Sequence, residues 1–422
     1  MERYKEYKDS GIFWEPSIPN YWRVTRLKNI LSKLDRSRTP NDELLVCSNS
    51  GEVRKRGDNK LGLVADSDEI YQGVKSNDLL IHGMDTWHGA IAVSKLDGMC
   101  TPVVHVCDSS QKKEFVAIYL RNMASQKIFK LISNGVRQNT SDFRSWSKLG
   151  CVPIAIPPYA EQEIIVSYLE SKTSKIDAYV ADKEKEIQLL QELKQKTIAD
   201  VVTKGLNPNV KMKEYNSLIS SQCPEHWKIM RNKSFLSLTG EKVGNRANEH
   251  TLLSLTTKGV IVRDLESGKG KFPKDFDTYQ IVIKDDLVFC LFDIDETPRT
   301  VGLVNTEGMI TGAYTALKVN KSIALPEYIY NYYLCVDDLK ALKPYYSGLR
   351  KTVRADKFLQ LYLPLPPIDE QQAIVAYIEE KCQKIDTLIT ELQAEIDYLK
   401  EYKQRLIADV VTGQVNVQNE TI

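Results

Sequence analysis

Residues Ile154–Ser171 read IAIPPYAEQEIIVSYLES, and Leu363–Glu380 read LPLPPIDEQQAIVAYIEE. The two stretches lie 209 residues apart, and the match runs on without a gap. Lys175-Ile176-Asp177 answers Lys384-Ile385-Asp386, and IADVVT at Ile198–Thr203 recurs unchanged at Ile407–Thr412. Proline lacks an N–H and clashes with the preceding turn, so Pro157-Pro158 and Pro366-Pro367 mark the boundary before a helix. Glu161 and Glu370 then fall in a first helical turn, where a negative charge suits the helix dipole.

The residues after each boundary keep an apolar step alternating between four and three. In the second copy the step runs through Ile374, Ile378, Ile385, Ile389, Leu392, Ile396, Leu399, Leu406 and Val410, with Lys381 and Lys403 at the remaining positions. In the first it runs through Ile165, Leu169, Ile176, Val180, Ile187, Leu190 and Val201, interrupted by Lys172, Lys183, Lys194 and Thr197. A step averaging 3.5 with polar residues between is a coiled-coil seam. A continuous helix from Ile165 to Val201 extends about 54 Å at ~1.5 Å per residue. Ser174 with Asp177 resembles a capping box that would break it, but the unbroken heptad step favours continuity. Two such helices are expected to pack antiparallel, with one globular unit at each end. The plainer alternative is two amphipathic helices buried in separate cores.

Outward from the helices the repeat continues more loosely. IPNYWRVTR from Ile18 answers CPEHWKIMR from Cys223, Tyr71-Gln72 answers Tyr279-Gln280, NDLLI from Asn77 answers DDLVF from Asp285, and SNGVR from Ser133 answers YSGLR from Tyr346. Short β-like runs (ELLVCS, DLLIHG, AIAVS, PVVHVC; TLLSLT, GVIVRD, DLVFCLF, TALKV) precede helical patterns from Lys112 and Leu325. The expected organisation is therefore a tandem duplication with pseudo-two-fold symmetry and mixed α/β (α+β) class. One globular domain spans 1–158, a helical region 159–206, a second globular domain 207–367, a second helical region 368–413 and a tail 414–422.

Composition narrows the function. The 422 residues carry 57 Lys and Arg against 56 Asp and Glu, a net charge of +1, which neither demands nor forbids nucleic acid because local patches bind. No apolar run spans a bilayer and the start MERYKEYKDSGIFWEP has no signal core, so a cytoplasmic location is expected. Eight cysteines without a C-x-x-C pair read as reduced thiols. His88, Cys100, His105 and Cys107 lie close but match no standard zinc spacing, so no metal site is expected. PPY after Ile156 evokes base-amino methyltransferases, yet these need a polar residue where Ile156 and Leu365 stand, and no donor-binding glycine loop is present: Gly268-Lys269-Gly270 reads as a turn. No Walker loop occurs, and Asp293 with Asp295 is too sparse a pair for a nuclease. No cofactor is expected in this chain.

Binding remains. Loop-like basic residues that could neutralise phosphates or read base edges are Arg54, Lys55, Arg56, Arg137 and Arg144 in the first domain, and Lys269, Lys271, Lys274, Arg299, Arg350, Lys351 and Arg354 in the second. For any one of them solvated surface charge is the plainer reading. Arg137 and Arg350 stand out, each following a glycine at the same point of the repeat.

The PPxxEQ…KID…IADVVT helices, the tandem layout and the YKDSGIFW…IPNYW opening closely resemble the specificity subunit of type I restriction–modification systems, over nearly the whole chain. The resemblance implies two target-recognition domains, each binding one half of a bipartite, asymmetric site in double-stranded DNA. It implies helices that set the spacer and dock two modification (methyltransferase) subunits, with restriction subunits joining them. It also implies a non-catalytic chain, with S-adenosylmethionine, ATP and Mg held by partners. Glu161, Gln162, Glu370 and Gln371 are then candidates for subunit docking, though they serve equally as helix starts. A coiled-coil scaffold that binds no DNA is the alternative, separable by gel shift, and a standalone DNA methyltransferase is opposed by the residues named above.

Overall fold

The computed structural model describes residues 2–39, 41–57, 70–133, 143–263, 276, 278–347 and 351–420. The chain divides into two compact units, Met1–Glu184 with Gln393–Ile422, and Lys185–Leu392. Each long helix gives one half to each unit. The central helix is unbroken over the 46 residues Tyr159–Lys204, passing through Ser174 without a stop, and the C-terminal helix runs 44 residues, Ile368–Val411.

In the first unit a four-stranded antiparallel sheet has the order Leu31–Lys33, Val104–Ser109, Leu79–His82, Ile91–Val93. The helix Lys113–Ser125 packs its apolar face, with Phe115, Val116, Tyr119 and Leu120 buried, into a core shared with Ile165, Leu169, Leu406 and Val410. The second unit repeats the plan. Its sheet runs Leu236–Leu238, Thr315–Val319, Leu287–Phe289, Val301–Leu303, and the helix Pro326–Asp338 shares a core with Val201, Ile374 and Ile378.

The loosely matched residues of the repeat explain why the two sheets coincide. The Gln72 amide donates to the carbonyls of Thr101 (3.2 Å) and Val104 (2.5 Å), and Gln280 donates to those of Thr311 (3.2 Å) and Tyr314 (2.7 Å). Asp78 accepts from the Lys75 N–H at 2.7 Å, and Asp286 from the Ile283 N–H at 2.9 Å. Asn77 and Asp285 before them hold positive φ of 72° and 74°, a conformation that short polar side chains tolerate. These pairs close the same turn in both units.

Within each unit the two half-helices run antiparallel. In the first, Lys403 bonds Asp177 at 2.6 Å and Lys183 bonds Glu395 at 3.1 Å. In the second, Lys194 bonds Asp386 at 2.6 Å. Lys194 and Lys403 are equivalent under the 209-residue offset, as are Asp177 and Asp386 of the KID motifs. Every expected seam position is buried or half-buried, the lysines included. The stems of Lys183, Lys194 and Lys403 lie along the seam while their ammonium groups reach an acid on the neighbouring helix, whereas those of Lys172 and Lys381 sit over Tyr168 and Tyr377 of their own helices.

Candidate nucleic-acid interface and the helix clasp

The duplicated PPxxEQ motif is best understood from its neighbours. The strand Arg23–Arg26 pairs with Pro153–Ile156, and Lys228–Arg231 pairs with Tyr362–Leu365. That register brings the tryptophan just before one strand to the helix start just after the other. Trp22 Nε1 donates to Glu161 Oε1 at 3.2 Å, and Trp227 Nε1 to Glu370 Oε1 at 3.1 Å. Tyr4 adds a 2.7 Å bond to Glu161, and His226 a 2.7 Å bond to Glu370.

The glutamines finish the joint. Gln162 Oε1 accepts from the Lys112 N–H at 2.9 Å, and Gln371 Oε1 from the Leu325 N–H at 2.8 Å. Both amides donate to the carbonyl of the first proline, Gln162 to Pro157 and Gln371 to Pro366, at 2.9 Å. Lys112 and Leu325 are the residues just before each domain helix. One glutamine thus fixes the start of the domain helix to the start of the long helix. The other long helix ends at the same tryptophan. Gly205 and Gly413 take φ of +75° and +70°, and a Cβ would come within 2.8 Å of Glu370 Oε1 or 2.5 Å of Pro19 Cδ. Only glycine stops the helix there without collision.

This corrects the docking expectation for Glu161, Gln162, Glu370 and Gln371. Gln162 and Gln371 have no exposed surface and Glu161 is 4% exposed. Glu370 is partly exposed but spends both carboxylate oxygens on His226 and Trp227. Their polar atoms serve the clasp inside their own unit. An acidic residue in a first helical turn looks solvent-facing from sequence. Nothing local signals a tryptophan more than a hundred residues upstream.

The basic candidates separate into groups. Arg54 is exposed on the strand Val53–Lys55, where Lys55 pairs with Glu43. Arg56 follows, its N–H bonded to the Leu44 carbonyl at 2.9 Å. Arg144 is exposed beside Phe143, whose carbonyl holds His105 Nε2 at 2.8 Å. Arg299 is not a free surface cation: it pairs with Asp337 at 3.2 Å and Asp338 at 3.3 Å, and Asp337 is 3% exposed, so its charge is spent on holding a buried carboxylate. Lys351 bonds Glu296 at 2.7 Å and Arg354 bonds Asp356 at 3.0 Å, both at the surface. Arg137, Lys269, Lys271, Lys274 and Arg350 lie outside the described residues. Asp295 of the D-x-D pair accepts from Tyr346 Oη at 2.9 Å, which with Lys351 holds its carboxyl below the usual range. Among the described residues no cluster of His, Cys, Asp or Glu is arranged to hold a metal, and no helix is long and apolar enough to cross a membrane.

Off the seam, Tyr179, Tyr398 and Tyr402 are exposed in the first unit, and Leu388, Leu189 and Leu193 in the second. Each residue of one trio matches a residue of the other at the 209-residue offset. Tyr179 Oη reaches Glu395, one turn from Tyr398, at 3.2 Å, so the first trio forms one patch across both half-helices of its unit.

The fold and its two clasps define the class: two α/β domains of one plan, each clasped to paired halves of long helices. Residues 224–398 match the type I restriction modification DNA specificity domain. A putative type I restriction enzyme MjaX specificity subunit of Methanocaldococcus jannaschii is 23% identical, with 95% of both chains covered. The MjaVIII specificity subunit of the same organism is 23% identical over 64% of this chain and 63% of its own length. Two solved structures share the fold. One chain, from work on complex assembly and conformational transition of the type I R-M system, has 13% identity and a TM-score of 0.68, covering 94% of this chain and 99% of its own. The HsdS subunit from Thermoanaerobacter tengcongensis has 15% identity and a TM-score of 0.52, covering 94% and 98%. Residues 224–398 carry a type I restriction modification DNA specificity domain, and the chain as a whole is similar to type I restriction enzyme specificity subunits.

Proposed function

We propose that each recognition domain binds one half of a bipartite, asymmetric DNA site, that the helices fix the distance between the halves, and that two modification subunits dock, one per unit. The observation that carries this reading is repetition. Clasp, seam ion pair and exposed apolar trio recur at one offset, while the basic loops, Arg137 and Arg350 apart, do not match. Equivalent surfaces suit two copies of one partner, and unlike loops suit two different half-sites. Exposed apolar patches on paired helices fit a partner helix better than water. The family role is non-catalytic. S-adenosylmethionine, ATP and Mg then reside in modification and restriction subunits, and the assembly works in the cytoplasm.

Long-read methylation mapping, in a host carrying this chain and its modification subunit, tests the reading: a two-part motif with a fixed spacer is expected, and a continuous motif overturns it. Native mass spectrometry tests the docking. Tyr398→Ser with Tyr402→Ser, or Leu189→Ser with Leu193→Ser, should each leave one modification subunit bound. Retention of two in both variants removes the trios from the interface.

A further inference from the structure

The first unit holds a groove of about 1060 Å³ that neither the clasp nor the basic loops use. The strand Ile91–Val93 and the helix Lys113–Ser125 form its floor, and the loop Asn49–Glu52 and the half-helices near Thr173 and Gln404 its walls. Ile91–Val93 is the outer strand of its sheet, paired only with Leu79–His82. The His82 N–H donates to the Ala90 carbonyl at 2.9 Å and the Ser94 N–H to the Asp78 carbonyl at 2.8 Å. Bonded and non-bonded pairs alternate along an antiparallel ladder, so Leu80 and Ala92 form the bonded pair between these two. The N–H and C=O of Val93 therefore point away from the sheet, and neither has a partner among the described residues. Outer strands are usually blunted by charge or cover. This one opens into a groove.

Other groups in the groove are also unmatched. Asn122 is 7% exposed and its Oδ1 accepts no bond, and the buried Nε1 of Trp87 donates none. The Arg121 guanidinium lies against Gly51 and donates to the Ser50 carbonyl at 2.6 Å, with no carboxylate paired to it among the described residues. Burial pulls its pKa down, and the nearby charge of Glu52 offsets this only in part.

We propose that this groove binds an extended segment of a partner protein, which adds as a strand beside Ile91–Val93 and sets an acidic side chain on Arg121. Backbone bonding to an open sheet edge supplies affinity, and the side-chain pocket supplies selectivity. A nucleic-acid strand is a poor occupant, since Glu52, Glu114, Glu170 and Asp177 offset Lys95, Arg121, Lys400 and Lys403 along the lining and leave no net positive field for a run of phosphates. The segment would tie the recognition domain of this unit to its half-helices. The inference stands apart from the DNA-reading proposal.

The test is a displayed library of random eight-residue peptides, selected on the full chain and on Val93→Pro and Arg121→Gln variants. Proline at Val93 removes only an outward donor, which an edge position tolerates. Selection on the unaltered chain should enrich peptides with one acidic residue. The best of them should bind about tenfold more weakly to either variant, and so should its amide-substituted form, as for loss of one strong hydrogen bond. Hydrogen exchange at the Val93 amide of the unaltered chain should slow when that peptide is added, a readout that survives poor folding of either variant. No enrichment above the variants, or an unchanged Val93 exchange rate with peptide bound, overturns the proposal and leaves the groove to water.

Discussion

Gln371 shows how much one side chain carries. It accepts from Leu325 and donates to the carbonyls of Pro366 and Ile323, the last at 3.1 Å, with no surface exposed. Gln371→Ala leaves a buried N–H and two carbonyls without partners, and should destabilise the second unit by about 2–4 kcal/mol. Urea unfolding followed by hydrogen exchange should place the loss at the Leu325 amide and spare the first unit. Glu15 is a second case. It is 5% exposed, bonded to Tyr119, with one oxygen unmatched, and burial pushes its pKa up to about 8. Its folded pKa lies above the usual carboxylate value, so the folded state holds the extra proton and stability falls as pH rises from near 4.5 toward 8. Glu15→Gln should flatten that slope and stabilise the first unit at pH 8 by about a few kcal/mol at most, raising its melting temperature. An identical pH profile for both proteins would refute it. Neither role was legible beforehand, because both depend on partners distant in sequence. Glu161 and Glu370 stand in a first helical turn as the sequence suggests, but their tryptophan partners are hidden for the same reason.

The long helices were the most legible elements. Their seam declares itself because burial repeats every 3.5 residues, and Lys172, Lys183, Lys194, Lys381 and Lys403 kept the period while breaking the polarity. What the period could not reveal was the purpose of the KID aspartates. Asp177 and Asp386 each take a lysine that the seam would otherwise strand, at 2.6 Å. Both acids are more than half exposed, so each pair should contribute only about 0.2–1 kcal/mol. Their larger effect is on register, since a heptad pattern alone permits a seven-residue slip. Exchanging the charges, Lys194→Asp with Asp386→Lys, should recover the coupling lost in either single variant, and ~1 M salt should erase it. A double-mutant cycle with zero coupling at low salt counts against the pairing. The strands were legible too: DLLIHG and PVVHVC became Leu79–His82 and Val104–Ser109. The loops between them carry the divergence, and periodicity says nothing about loops.

At the scale of the whole molecule, helix length becomes a quantity that DNA can report. A heptad added at matching places in both long helices keeps the seam in phase and lengthens each by about 10.5 Å at ~1.5 Å per residue. With DNA rising ~3.4 Å per base pair, the spacer of the methylated motif should grow by about three base pairs. The half-sites would also rotate by roughly 100° at about 10.5 base pairs per turn, so affinity is expected to drop. The readout is the spacer in whatever motif remains methylated. The original spacer at full efficiency would show that the helices do not measure distance. The first unit also has a peculiarity of chain order, since it joins Met1–Glu184 to Gln393–Ile422, whereas Lys185–Leu392 is one continuous stretch. The late segment is bound in closely. Gln414 donates to the Ser17 carbonyl at 2.9 Å, Tyr7 to the Gly413 carbonyl at 3.1 Å, and Val410, Val411 and Val417 complete the core around Trp22. On the ribosome the domain begun first is therefore the one finished last. Its apolar face waits, uncovered, while the whole second unit is translated and folded. During that interval the nascent first unit is the species most exposed to chaperones and to aggregation, and it is released from that exposure only when Gln393–Ile422 arrives.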